Sequence, residues 1–170
     1  ATGGRVRVAG LGRQSVQGDA GFAGVLERMG CRVAEAGGIE VTGGPLRGVD
    51  ADFSRMPDSA QTFAVLAALA GGESRLRGCT NLRVKETDRL ADTATELRKL
   101  GATVEVHEDG WTIRPGPPHP ALIETHGDHR MAMAFAVAGL RLPGVRIAAP
   151  EVVSKSFPTF WALLDALPVK

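Results

Sequence analysis

Basic and acidic residues recur together at a few points in this 170-residue chain. Lys85, Glu86, Asp88 and Arg89 stand in one run and Asp128, His129 and Arg130 in a second, while Asp58 follows a proline and Lys155 lies between two serines. Each group falls at the start of a run with helical period. The cations therefore belong at helix N-termini, where the helix dipole makes a lone cation mildly unfavourable. An anion removes that conflict, because free backbone N–H groups, the dipoles and the fork-shaped guanidinium groups would together hold phosphate or carboxylate. Taken singly, Asp58 and Asp128 read as helix caps, and any one of the cations reads as a solvated surface charge. Glu86 is harder to dismiss. It lies between Lys85 and Arg89, which should depress its pKa and leave an ionised base among anion-binding groups. Acid–base residues beside an anion cradle suit group transfer between phosphorylated substrates.

An internal repeat suggests how these groups are brought together. Gly30-Cys31-Arg32-Val33 recurs 71 residues later as Gly101-Ala102-Thr103-Val104, each closing an amphipathic helix. Pro57-Asp58-Ser59 before an apolar run recurs after 70 residues as Gly127-Asp128-His129 before another, and Lys85 has its counterpart in Lys155 at the same spacing. Such self-similarity constrains the fold before any single element is assigned. Phe22, Val25, Leu26 and Met29 mark one helical stripe, Leu90, Leu97 and Leu100 a second, and Phe157, Phe160, Trp161 and Leu164 a third. The segments 60–70 and 131–140 contain no charged residue, so these helices should be buried on every side. Arg5-Val6-Arg7-Val8, Val104-Glu105-Val106 and Thr112-Ile113-Arg114 read as strands, punctuated by Gly and Pro turns. The unit is roughly strand, helix, strand, strand, helix, strand, present about twice with part of a third. Like elements should stack, so the helices beginning near Asp58, Thr87, His129 and Ser156 should start at one common end of a single domain spanning residues 1–170.

Composition excludes several function classes. With 20 basic against 19 acidic residues, nothing in the charge balance asks for nucleic acid or an anionic membrane. An aromatic content of 5% without basic interleaving argues against a base-stacking surface. The longest apolar stretch, 63–70, is far short of a membrane span, and the N-terminus has no signal pattern, which points to a cytoplasmic protein. Cys31 and Cys79 read as buried thiols, and His107, His119 and His126 as solvated. No zinc-like Cys and His spacing, nucleotide-binding phosphate loop or Gly-x-Ser-x-Gly elbow is present.

Four ordered motifs make the reading specific. Asn81-Leu82-Arg83-Val84-Lys85-Glu86-Thr87-Asp88-Arg89-Leu90 resembles one signature of the 5-enolpyruvylshikimate-3-phosphate synthase family, and Gly127-Asp128-His129-Arg130-Met131-Ala132-Met133 resembles a second. Pro57-Asp58-Ser59-Ala60 and Ser154-Lys155-Ser156-Phe157-Pro158 match two more. The resemblance implies an α/β chain forming one lobe of the enolpyruvyl transferase fold, with strand-helix-strand-helix-strand-strand units, buried parallel helices and outer sheets. It also implies the C-terminal part of an enzyme of aromatic amino-acid biosynthesis, which moves the enolpyruvyl group of phosphoenolpyruvate to the 5-hydroxyl of shikimate 3-phosphate and releases phosphate. Carried over by position, Asp58 accepts the hydroxyl proton, and Asn81 and Lys85 help hold shikimate 3-phosphate. Glu86 handles the proton at the methylene carbon, and Arg89, Arg130, Lys155 and His129 hold phosphoenolpyruvate. No metal or other cofactor is implied. The family's other lobe, absent here, supplies the remaining substrate contacts, so the chain alone should be inactive. The sister transferase acting on UDP-N-acetylglucosamine shares fold and chemistry, although the 85–89 block and Asp128-His129-Arg130 favour the shikimate enzyme. A non-catalytic repeat domain is the reading from a different class.

Overall fold

Alanine, leucine and methionine are strong helix formers with little to lose in side-chain freedom, and the two charge-free runs are rich in them. They form α2 (Ala60–Ala68) and α4 (His129–Gly139) in the computed structural model, which describes residues 2–12, 15–35 and 37–167. Every residue of α2 except Thr62 is buried. The two helices pack against each other, their small alanines allowing close approach, and Phe53, Phe63, Leu66, Phe135 and Ile123 fill the space around them. Each large apolar side chain buried here contributes about 2 kcal/mol.

The amphipathic stripes form α1 (Phe22–Arg28) and α3 (Arg89–Lys99), which turn one face inward, with Val25, Leu90 and Leu97 in the core. Both end in the same device. Cys31 N–H bonds the Leu26 carbonyl and Gly30 N–H the Glu27 carbonyl, while Ala102 and Gly101 do the same to Leu97 and Arg98. This is the Schellman arrangement, and it requires the positive φ of Gly30 (104°) and Gly101 (98°). A β-carbon at either glycine would also collide with a proline carbonyl, of Pro45 or of Pro117.

The strands are β1 (Arg5–Ala9), β2 (Arg32–Glu35), β3 (Gly38–Thr42), β4 (Asp50–Asp52), β5 (Ser74–Arg77), β6 (Thr103–Val106), β7 (Trp111–Arg114), β8 (Leu122–Ile123) and β9 (Arg146–Ile147). They make three sheets with the orders β1-β3-β2, β4-β5-β7-β6 and β8-β9. In the second sheet β4 and β5 are parallel while β5-β7 and β7-β6 are antiparallel. The first sheet repeats its antiparallel part and the third its parallel pair. One complete unit, β4-α2-β5-α3-β6-β7, is thus flanked on each side by part of another. The repeat expected from spacing is present with the expected four strands per unit, but their order differs from the reading by periodicity. Three strands instead of two separate α1 from α2 and α3 from α4, and one instead of two separates α2 from α3.

Two expectations shift. The helix placed near Thr87 begins at Arg89, because the Asp88 carboxylate accepts from Leu90 N–H and Ala91 N–H and so fixes the N-cap there. The helix placed near Ser156 is α5 (Phe160–Asp165), preceded by the 3-10 turn Pro150–Lys155, and none of its residues is buried. Antiparallel strands follow and cover α1 and α3, whereas no such pair follows α5 among the described residues, leaving Phe157 and Leu163 exposed.

Candidate active site

Three helix starts converge. The 3-10 turn Pro57–Ser59 ahead of α2 carries Asp58, the segment between the 3-10 turn Thr80–Val84 and α3 carries Glu86, and Asp128 caps α4. Capping accounts for Asp128, whose carboxylate accepts from Arg130 N–H, but not for Asp58, because the α2 N-cap is Ser59 and no side chain caps it. The start of α3 is anchored from below by Trp111, whose indole N–H donates to the Leu90 carbonyl at 2.8 Å. Arg83 ties the 83–88 segment to the neighbouring hairpin by donating to the His107 and Glu108 carbonyls and to the Asp88 carboxylate.

Arg89 is the centre of the cluster. Its side chain is 1% exposed. Nε and Nη2 donate to the two oxygens of Asp128 at 2.6 and 3.1 Å, Nη2 also to Glu86 at 2.8 Å, and Nη1 to Asp58 at 3.3 Å. One buried guanidinium therefore draws together carboxylates from three helix starts, and burial without such partners would be prohibitive. A single Nη1 N–H is left for any further acceptor. Arg130 reaches across to Asp58, with Nη2 2.9 Å from its carboxylate and Nη1 3.3 Å from its carbonyl oxygen. Lys155 Nζ lies 3.6 Å from Glu86 Oε1. Arg130 and Lys155, unlike Arg89, keep a third and a half of their side-chain surface exposed.

Asp128 and Glu86 are held in the ionised form. Burial pushes the Asp128 carboxyl up, but hydrogen bonds from Arg89 and Arg130 N–H and the Arg89 charge outweigh it, so the group lies below its ordinary range. Glu86 is also lowered, chiefly by its own backbone N–H, with Arg89 and Lys155 adding to the effect. For His129, burial and then the Lys155 charge lower the imidazole, so it is neutral near pH 7. Its Nδ1 is buried with no hydrogen-bond partner, 3.8 Å from both Glu86 Oε1 and Asp128 Oδ1. Glu86, Asp128 and His129 lie close enough to bracket a metal ion. Their oxygens already face Arg89 and Lys155, however, so a cation would meet positive charge while an anion would meet a cradle.

The structure brings five of the sequence-predicted residues, Asp58, Glu86, Arg89, Arg130 and Lys155, into one contact network, with His129 beside it. Asn81 and Lys85 are exposed nearby in sequence, and neither side chain bonds a described residue. Sequence reasoning missed Gln61, buried in α2, whose amide donates to Asp128 at 3.3 Å. A polar residue in an otherwise charge-free helix was the signal. His126 is exposed, as expected, but its ring also meets Glu96 at 3.0 Å and Asp92 at 3.7 Å, contacts that sequence reasoning missed. His107 likewise bonds the Thr112 hydroxyl. Cys31 and Cys79 are buried free thiols as expected, and burial pushes Cys79 up to about 12.

Residues 1–164 match EPSP synthase (3-phosphoshikimate 1-carboxyvinyltransferase). The chain belongs to the EPSP synthase family. Relatives called 3-phosphoshikimate 1-carboxyvinyltransferase include one from Syntrophobacter fumaroxidans, 53% identical over 170 residues, which cover 98% of this chain and 40% of the relative. Another, from Methanoculleus marisnigri, is 50% identical over 165 residues, covering 95% of this chain and 39% of its own. Among solved structures, an EPSP synthase from Acinetobacter baumannii superposes with a TM-score of 0.79 at 30% identity, covering 98% of this chain and 42% of that one. The enolpyruvyl transferase NikO from Streptomyces tendae shares the fold, with a TM-score of 0.74 at 24% identity. The chain therefore has the α/β enolpyruvyl transferase fold and spans about 40% of the length of the EPSP synthase relatives it matches. Among the described residues no helix is long and apolar enough to cross a membrane.

Proposed function

We propose that this chain is a single domain forming one lobe of a cytoplasmic enolpyruvyl transferase, and one wall of an active site that joins phosphoenolpyruvate to the 5-hydroxyl of shikimate 3-phosphate. The observation that carries the proposal is the meeting of Arg130 with Asp58 and of Lys155 with Glu86 around buried Arg89, each pairing an exposed anion-binding group with a potential base. Arg130 and Lys155 hold the phosphate and carboxylate of phosphoenolpyruvate, with neutral His129 and the remaining N–H of Arg89 alongside. An anion on Arg130 competes with Asp58 for that guanidinium, which frees Asp58 to take the proton from the 5-hydroxyl. Asn81 and Lys85, exposed and with no side-chain partner among the described residues, hold shikimate 3-phosphate.

Glu86 handles the proton at the methylene carbon. Ionised in the free site, it takes up a proton once the anionic substrate offsets the charges of Arg89 and Lys155, and passes it to the methylene carbon. The hydroxyl oxygen attacks the adjacent carbon as its proton goes to Asp58, giving a tetrahedral phosphate adduct. Glu86 takes a methyl proton back as phosphate leaves and the double bond re-forms. Fixed cations matching the charge of the adduct are the main catalytic contribution expected of such a site. One wall cannot exclude water or orient both substrates, so turnover requires the remainder of the enzyme. The test is phosphate release from the two substrates, measured with the purified chain and again after adding the complementary segment of a full-length relative. Activity should appear only on mixing and vanish with Glu86→Ala. Substantial turnover by the chain alone would overturn the single-wall reading, and unchanged activity in the variant would remove Glu86 from its role.

A further inference from the structure

The turn that delivers Asp128, His129 and Arg130 to the site is held in an unusual form. His126 and Gly127 have φ values of 52° and 72°, and Asp128 N–H bonds the Thr125 carbonyl at 2.8 Å. Two successive positive φ values closed by such a bond are the pattern of a type I′ turn. Glycine adopts this conformation freely, but a side chain does so only where its surroundings over-determine it. At His126 the surroundings are two carboxylates of α3, with Nε2 3.0 Å from Glu96 Oε1 and Nδ1 3.7 Å from Asp92 Oδ1.

Glu96 has no surface exposure, and all of its hydrogen-bonding capacity is directed at this turn and at its own helix. Oε2 accepts from the Glu124 backbone N–H at 3.1 Å, Oε1 meets the His126 ring, and Lys99 Nζ bridges both oxygens at 2.8 and 2.9 Å. Asp92 is fixed in turn by the Thr87 hydroxyl. Arg89, Asp92 and Glu96 stand at i, i+3 and i+7, a single helical face about 10 Å long. That face grips the 124–128 segment at both ends, through Glu96 at its beginning and through Arg89 on Asp128 at its end. Glu96 is thus a buried carboxylate whose partners all lie on this turn or on its own helix.

We infer that Glu96 and His126 are positioning residues for the anion site. By locking the turn in its left-handed form they set where Asp128, and with it His129 and Arg130, stand relative to Arg89. The inference rests on the reading of the cluster as an anion site, and neither residue touches substrate.

The test uses the full chain and two variants. His126→Gly keeps the left-handed backbone but removes the clamp, and Glu96→Gln keeps one acceptor oxygen. Phosphoenolpyruvate and inorganic phosphate are titrated while the Arg89 Nε–H and Arg130 backbone amide resonances are followed by NMR, with melting recorded in parallel. His126→Gly should melt close to the parent, shift both resonances and weaken phosphoenolpyruvate about tenfold, the scale on which supporting hydrogen bonds behind a binding group act. Glu96→Gln should fall between the two. Parent-like resonances and affinity in His126→Gly would overturn the inference. A loss of affinity that disappears on cooling, once variant and parent are equally folded, would also overturn it by showing a purely structural role. Should the parent bind neither anion, the anion-site reading fails, and the two resonances still decide whether Glu96 and His126 position the turn.

Discussion

Arg89 shows how a residue's chemistry depends on its neighbours. The family motif makes it a substrate clamp, yet nearly all of its donors are engaged by Asp58, Glu86 and Asp128. Its first task is to order three carboxylates, and the hierarchy of its partners is measurable. Asp128→Ala leaves the guanidinium buried with its strongest partner gone, which should lower the unfolding free energy by about 3–5 kcal/mol. Asp58→Ala, at a partly exposed carboxylate, should lower it by less than about 1 kcal/mol. Urea unfolding of both variants distinguishes them, and similar values would mean that Arg89 is not anchored by Asp128. The folded Asp128 carboxyl binds its proton less tightly than the unfolded one. Its share of stability is therefore complete above about pH 4 and is lost as the pH falls through the folded value below that. Asp128→Asn should flatten this acid limb. At His129, NMR titration should give a midpoint below 6.5. Lys155→Met should raise that midpoint, because the Lys155 charge is second only to burial in lowering it. An unmoved midpoint would show that Lys155 does not face the ring.

At the level of elements, α2 and α4 carry the stability that the site draws upon. Ala67 has no exposure and lies in a helix buried on nearly every side. Ala67→Asp should destabilise by about 3 kcal/mol or more, because an unpaired charge enters a packed interior. Ala162→Asp, on exposed α5, should change little. Equal melting of the two variants would place α2 at the periphery. The starts of α2, α3 and α4 coincide because the helices stack in register through the repeat, which is why residues about 70 positions apart meet there. Trp111 and Arg83, neither of which faces the anion cluster directly, hold the start of α3 against its sheet and hairpin. Substitution at either should reach the site through the position of Glu86.

Over the whole molecule, the repeat leaves apolar surface uncovered. β1 is an edge strand whose Val6 and Val8 are 60% and 51% exposed, beside Ile39 and Val41 of β3 and an opening lined by Leu66 and Val137. The sheet that contains β1 lacks a counterpart of β4 among the described residues. A contiguous apolar face of this kind attracts other apolar groups. The isolated chain should therefore bind an anilinonaphthalene dye while fully folded, and Val6→Thr with Val8→Thr should reduce that binding without changing the melting temperature. Absence of dye binding by the parent would show that the face is closed in solution.

The sequence by itself determined the periodicities, the 70–71-residue repeat and the four motifs, since these are properties of residue order and type. From them followed the buried character of α2 and α4, the closing of α1 and α3 at Gly30 and Gly101 and the convergence of helix starts. Only the tertiary structure decided how the charges pair. That Asp58 serves Arg130 instead of capping α2, that Gln61 supports Asp128, and that exposed His126 is tied to Glu96 all depend on contacts between residues about 30 to 70 positions apart. The exposure of α5 was hidden for a related reason. An apolar stripe states which face seeks cover, but whether strands lie against it is settled by what the chain places next to it.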